Sequence, residues 1–365
     1  MKKIIFLLGI VTISCADYEN EKQIDQLFSS EFKADEPGAA VLVMKEGKVI
    51  FEKGYGITDV NTKEKVTTET LFNTGSISKT FVSNTIISLA AEGKLSVNDS
   101  LSMYFPNFKN KTIANKVKIH YLLTHTSGLP DNRRKILDSV YLLTAKDQEN
   151  WNPIEQNDSL LFEPGSRFEY SNPAFNGLAL IIEKVTGKKW QEVVVERIFK
   201  RANMPNSKIT DGAYPETGVA HGYLKSKNGF IEKDYGEEPT FAAAGNGGVW
   251  SSVKELANYE MALQKGMIIK HDLVEHSRSI MHYSNWKDSV PQFIGYSWFI
   301  GQTSDGTRMI SHTGTQGGFH ADYVSIPDKG MFYVVLSTRS FPRNEFREKI
   351  FELMGVRLQE HITPK

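Results

Sequence analysis

Leu71–Lys94 reads LFNTGSISKTFVSNTIISLAAEGK, with Ser76 and Lys79 three residues apart at the head of a long apolar run. One reading of that serine is a helix start, because serine side chains accept the orphan backbone N–H groups of a first turn. The other is a nucleophile with Lys79 as its proton acceptor. Phe81, Ile86, Leu89 and Ala90 recur at roughly helical spacing, and Gly93 makes a natural stop, which predicts a buried helix from near Ser76 to near Gly93. On a helix, positions i and i+3 share a face, so the hydroxyl and the amine can meet. The helix N-terminus adds free N–H groups and partial positive charge, which favour negative charge developing nearby. Burial disfavours a charged lysine, and a neutral amine within hydrogen-bond reach can take the serine proton.

The pattern S-x-x-K does not decide this alone, since it occurs at Ser30/Lys33, Ser76/Lys79, Ser251/Lys254 and Ser284/Lys287. Y-x-N likewise begins at Tyr18, Tyr170 and Tyr283, whereas H-T-G occurs once, at His312–Gly314. Context separates them. Ser76 follows a glycine and opens a strongly apolar helix; none of the other three serines does, and Ser251 is better explained by capping.

Outward from that helix, Gly38–Gly56 reads as two strands joined at Glu46-Gly47, with β-branched and aromatic residues in the strands and glycine for the turn. Residues 95–240 are loop-rich with helical islands. In the island Pro173–Trp190, Pro173 suits a first turn and Gly187 an end. A further helix follows Ser252, which with Glu255 forms a capping-box pattern. The stretches 296–302, 307–314, 319–327 and 331–338 read as strands, Pro327–Gly330 as a turn, and Asn344–Met354 as an amphipathic helix. The predicted fold class is α+β. The first and last strands would pair in one antiparallel sheet flanked by terminal helices, with an all-helical lobe beside it and a cleft between.

The chain has 365 residues, and its 43 lysines and arginines balance 43 aspartates and glutamates. No basic stripe suggests a nucleic-acid partner. The nine histidines form no HExxH and no cysteine–histidine cluster, so no metal site is expected. At the N-terminus two lysines precede an apolar run, Ile4–Ile13. That run is shorter than the ~20 residues a membrane-crossing helix needs and has the layout of an export signal. Cys15, the only cysteine, sits where it ends, so no internal disulfide can form. The segment resembles the lipobox of bacterial lipoproteins, in which such a cysteine becomes the lipidated N-terminus; Thr12 departs from the usual leucine, and an ordinary secretory signal is the plainer alternative. The expected organisation is a signal peptide of lipoprotein type over 1–15, a tether leading into a helix over 16–30, and one catalytic domain over 31–365. The expected location is the periplasm or cell envelope, with the membrane a partner through a lipid on Cys15.

Four segments in order, TGSISKTF (Thr74–Phe81), LLTHTSGLP (Leu122–Pro130), FEPGSRFEYSN (Phe162–Asn172) and SHTGTQGG (Ser311–Gly318), resemble the serine β-lactamase and penicillin-binding protein superfamily. The branch is that of class C β-lactamases, related D-alanyl-D-alanine carboxypeptidases and esterases, and the resemblance runs from about residue 38 to 340. It implies an antiparallel sheet with flanking helices plus an all-helical lobe, in agreement with the layout above. It also implies roles: Ser76 as acylated nucleophile, Lys79 and Tyr170 as proton-shuttling partners, and Asn172 on the substrate amide. His312, Thr313 and Gly314 would line the far side of the cleft. The Thr315 N–H, with that of Ser76, would form an oxyanion hole. Plainer readings stand beside these: Tyr170 as a packed aromatic, His312 as a strand histidine facing solvent. His125 and Ser127 lie in a segment that the resemblance makes structural.

No G-x-S-x-G elbow occurs. The implied scheme needs no metal or organic cofactor. Many β-lactamases carry lysine where this chain has His312, and a free histidine is mostly neutral at pH 7. The expected activity is therefore that of a serine hydrolase acting through an acyl-enzyme on small peptide, amide or ester substrates, with β-lactamase activity weak or absent. The alternative is a catalytically silent relative that binds peptidoglycan or a partner protein.

Overall fold

The two strands predicted across Gly38–Gly56 form β1 (Ala39–Lys45) and β2 (Lys48–Tyr55), turned at Glu46-Gly47, which both take positive φ. In the computed structural model, which describes residues 15–131, 144–232 and 242–359, these strands join four from the C-terminal part. Those are β8 (Phe299–Gln302), β9 (Arg308–Gln316), β10 (Phe319–Ile326) and β11 (Met331–Ser337). The six-stranded sheet has the order β2-β1-β11-β10-β9-β8, and every neighbouring pair is antiparallel.

Period-two alternation sends side chains to both faces, and both faces of the central strands are buried. Val41, Val43, Tyr333 and Val335 point to a layer made by helix α1 (Cys15–Glu31), through Ile24 and Phe28, and by the C-terminal helix Arg343–Leu353, through Phe346 and Ile350. Ala40, Leu42, Val334 and Leu336 point the other way, into a core shared with the helical lobe. The middle of that lobe is helix α2 (Ser78–Ala91), buried from Ser78 to Leu89. Buried polar side chains need hydrogen-bond partners; in α2, Thr80 and Thr85 donate to the Ile77 and Phe81 carbonyls, and Asn84 Nδ2 donates to the Tyr259 hydroxyl.

Two short sheets complete the frame. β3 (Phe72–Asn73) and β4 (Lys208–Ile209) flank β7 (Val249–Ser251), and β5 (Tyr223–Ser226) pairs with β6 (Gly229–Glu232) as a hairpin. The helix predicted from Pro173 spans Asn172–Thr186, capped by Ser171 and closed by Gly187 in the left-handed conformation.

Three expectations need correcting. The stretch 16–30 is no tether: it belongs to α1, because Ile24 and Phe28 bury against the sheet. The capping box ahead of helix Val253–Gln264 is half formed. Ser252 Oγ accepts the Glu255 N–H at 3.2 Å, but the Glu255 carboxylate turns to the Asn206 N–H and the Ser207 hydroxyl. Third, the predicted helix near Ser76 begins with a 3-10 turn, Gly75–Ile77, ahead of α2. The apolar run Ile4–Ile13 lies outside the described residues, as do 132–143 and 233–241; no helix among the described residues is long and apolar enough to cross a membrane.

Helix Val253–Gln264 is tied to the sheet by a buried ion pair. Arg278 donates to both Glu260 oxygens, at 2.9 and 2.7 Å, and lies 4.5 Å over the Trp298 ring. Ser325 and Tyr323 of β10 donate to the same carboxylate. Burial alone would raise the Glu260 pKa, but the Arg278 charge and these bonds hold it down at about 2. Arg278→Met leaves that carboxylate buried and uncompensated, and should cost about 3–5 kcal/mol in urea unfolding at pH 7. Arg278→Met combined with Glu260→Gln should recover part of the loss.

Candidate active site

β3 leads directly into the reactive turn. Asn73 Oδ1 accepts the Gly75 N–H at 2.8 Å, and Gly75 takes φ +52°, a side-chain-closed turn that suits a residue without Cβ. Thr74 and Ser78 fasten the turn to β7: the Thr74 hydroxyl donates to the Val249 carbonyl at 2.9 Å, and Ser78 Oγ accepts the Val249 N–H at 3.0 Å.

Ser76 therefore sits in the 3-10 turn, half-buried, while Lys79 occupies the first turn of α2, fully buried. Lys79 Nζ donates to Ser76 Oγ at 3.0 Å and to the Asn246 carbonyl at 2.7 Å.

On the far side of the turn lies β9. A Cβ on Gly314 would meet the Thr74 carbonyl oxygen at 2.0 Å, and one on Gly75 would meet the Thr315 nitrogen at 2.7 Å. Carbon atoms cannot approach so closely, so both positions must be glycine. The two backbones touch, and the Thr315 N–H is brought alongside the Ser76 turn. Thr313 is half-buried and Thr315 exposed.

Tyr170 enters from the loop before helix Asn172–Thr186. Its phenol lies near the Ser76 hydroxyl, and burial raises its pKa above the ordinary value. The residue as a whole is 38% exposed. Lys79 Nζ lies 5.1 Å from the centre of the Tyr170 ring. The other face of that ring stacks on His125, with centroids 4.3 Å apart and planes 22° apart. Asn172 is half-buried, and its Oδ1 has no hydrogen-bond partner.

His312 is buried, not facing solvent, with its ring 5.3 Å from that of Phe299. Nδ1 lies 2.7 Å from the Thr313 carbonyl. A carbonyl only accepts, so Nδ1 carries the proton and Nε2 a lone pair. Burial and the nearby Lys79 push the His312 pKa down to about 3.

The beta-lactamase family model matches residues 22–354. The chain belongs to the beta-lactamase family. It is 27% identical over 356 residues to Protein flp of Staphylococcus aureus (strain COL), covering 94% of this chain and 67% of that protein. It is 24% identical over 356 residues to Penicillin-binding protein 4* of Bacillus subtilis (strain 168), covering 93% of this chain and 75% of that one. Among solved structures it is similar to the octameric penicillin-binding protein homologue from Pyrococcus abyssi, with TM-score 0.78 and 26% identity over 93% of this chain and 78% of that chain. D-amino acid amidase from Ochrobactrum anthropi SV3 shares the fold, with TM-score 0.76 and 18% identity over 94% of this chain and 99% of that chain.

Within this beta-lactamase fold, two contributors, Asn246 and Gln316, were not singled out by sequence reading, and a third, His125, was read only as part of a structural segment. Asn246 acts through its carbonyl, which any residue would supply; the only signal is the run of glycines around it, Gly245, Gly247 and Gly248. His125, read as structural, is structural in a particular way. It takes φ +55°, accepts the Ser171 N–H on Nδ1 at 3.0 Å, and so presents its ring face to Tyr170. Burial, with Lys79 and His312 adding to it, lowers its pKa well below 6.5. Gln316, fully buried, faces Gly247, where a Cβ would meet its Oε1 at 2.0 Å.

Two outcomes test this geometry. Gly314→Ala should push β9 off the turn and slow fluorophosphonate labelling of Ser76 by about 10²-fold or more, the effect of losing an oxyanion donor. His312 binds a proton in the unfolded chain below its ordinary 6.5 but in the folded chain only near 3. Its contribution to stability is thus present above pH 6.5 and lost as pH falls toward 3. Urea unfolding across that range should show a shallower acid loss for His312→Gln than for the parent chain.

Proposed function

We propose that the chain is a serine hydrolase that cleaves amide, peptide or ester bonds through an acyl-enzyme on Ser76. The observation that carries the reading is the Lys79 amine 3.0 Å from Ser76 Oγ, with Tyr170 beside the pair, its ring centre 5.1 Å from Lys79 Nζ. A hydroxyl is a poor nucleophile until an adjacent base takes its proton. The raised pKa of Tyr170 keeps the phenol protonated at neutral pH, which makes it a proton donor and leaves the Lys79 amine as acceptor.

In this scheme Ser76 Oγ bonds to the substrate carbonyl carbon as its proton moves to Lys79. The carbonyl oxygen becomes an oxyanion, held by the Ser76 and Thr315 N–H groups, each worth roughly 3 kcal/mol in the transition state. The C–N or C–O bond then breaks, and the leaving group takes a proton through Tyr170, which is refilled from Lys79. Water attacks the Ser76 ester by the same path in reverse and releases the acid.

His312 bears on the substrate class. It is neutral, with a lone pair on Nε2, so it offers a substrate carboxylate no counter-charge. Phe299 beside it packs with Phe293 and Phe168 in an aromatic cluster. Uncharged amides and esters with apolar acyl groups suit these surroundings better than β-lactams, which carry a carboxylate. Relatives named as penicillin-binding proteins and a fold neighbour named as a D-amino acid amidase are in keeping with amide chemistry. The silent, peptidoglycan- or protein-binding alternative has no observation in its favour while Ser76, Lys79 and Tyr170 stand together. We also propose that Cys15 is lipidated; palmitate incorporation lost in Cys15→Ala tests this separately.

Wild type should be labelled by a fluorophosphonate and should hydrolyse p-nitrophenyl esters. Ser76→Ala should abolish both, and Lys79→Met should lower kcat by about 10³-fold or more, of the order expected when general-base assistance is lost. Labelling that persists in Ser76→Ala ends the assignment. Acylation by a fluorescent penicillin faster than ester turnover would overturn the substrate reading.

A further inference from the structure

Asp147 lies at the start of helix Asp147–Glu155 and is buried. Three neutral donors surround its carboxylate. Gly245 N–H and Asn176 Nδ2 reach Oδ1 at 2.8 and 2.6 Å, and Trp190 Nε1 reaches Oδ2 at 2.9 Å. A Cβ on Gly245 would lie 2.9 Å from Oδ1 and 2.8 Å from the Ala179 methyl. The carboxylate is therefore packed onto the bare backbone of the turn Ala244–Gly247.

Two routes run from it to Asn246. One is covalent, through Gly245. The other passes through Asn176, whose Oδ1 accepts Asn246 Nδ2 at 2.9 Å. Asn246 in turn gives its carbonyl to Lys79 Nζ at 2.7 Å. A neutral residue of similar shape could fill the space, and burying a carboxylate without an opposing charge is costly. A requirement for strong, directed acceptors on the turn explains its presence.

We infer that Asp147 is a positioning residue: it holds Gly245 and Asn246 so that the Asn246 carbonyl fixes the Lys79 amine against Ser76 Oγ. The inference rests on the serine-hydrolase reading of that site. Burial pushes the Asp147 pKa up to about 7, against the pull of its three hydrogen bonds, and the like charge of Asp211 adds to the rise. The other groups facing it, from Asn176, Trp190 and Gly245, are neutral. Protonation would set an O–H among donors and release one of them, so acid should loosen the clamp.

The test uses the full chain. In Asp147→Asn one amide oxygen can still accept, but the new NH2 faces a donor. Its kcat and its rate of fluorophosphonate labelling should fall roughly 10–100-fold, the scale of a small misplacement of a catalytic group, with KM nearly unchanged. Its melting temperature should not fall in proportion, since a neutral amide is easier to bury. Trp190→Phe removes a donor that favours the carboxylate, so the acid limb of its kcat profile should move to higher pH. Either variant folded, with wild-type kcat, labelling rate and acid limb, overturns the inference. If wild type itself is not labelled at Ser76, the hydrolase reading fails instead. The placement is then judged from crystal structures of wild type and Asp147→Asn: an Asn246 carbonyl displaced from Lys79 supports it, and an unmoved one refutes it.

Discussion

The site depends on a contact between two backbones that have no side chains at the point of touch. Gly75 and Gly314 let the turn after β3 lie directly against β9. Each partner is fixed independently. The turn is fastened to β7 by Thr74 and Ser78 and continues into the buried helix α2. β9 is held in register by β8 and β10. The position of the reactive hydroxyl is thus set where the main sheet meets the helical lobe, and one apolar core spans both.

Three aromatic groups around that site, His125, His312 and Tyr170, share a second property: they are kept neutral. Burial lowers the pKa of His125 and His312 and raises that of Tyr170. In a poorly hydrated site an unneeded charge would be costly to hold and would perturb the others. Lys79 is met by a hydroxyl and a carbonyl, dipoles that orient an amine. The aromatic faces of Tyr170 and Phe175, 5.1 and 5.8 Å from Nζ, complete its surroundings. Such an environment suits proton transfer along short hydrogen bonds.

Much of this was legible in the sequence because it depends on local pattern. The β-branched and aromatic residues and turn glycines of Gly38–Gly56 and the runs within 307–338 marked the strands, and the apolar spacing after Ser76 marked α2. Pro173 and Gly187 marked a helix whose observed limits agree with them. What stayed hidden depends on tertiary contact. The turn at Gly75–Ile77 is 3-10 because Asn73 and β7 pull it tight, which no periodicity reveals. The polar stretch 16–30 read as a tether because few of its residues, Ile24, Leu27 and Phe28, carry its packing. Glu255 abandoned its capping role for Asn206 and Ser207, distant partners that propensity cannot anticipate. The plainer reading of His312, a strand histidine facing solvent, stayed open because its neighbour Phe299 comes from another strand.

The central claim is that Ser76 Oγ, the Lys79 amine and the N–H groups of Ser76 and Thr315 converge on one reacting carbonyl. A crystal structure of the chain phosphonylated by a fluorophosphonate measures this directly. The account predicts a phosphorus–Ser76 Oγ bond, with the phosphoryl oxygen hydrogen-bonded to both N–H groups and Lys79 Nζ still against Oγ. A phosphoryl oxygen directed to solvent, or an adduct on any other residue, would contradict it.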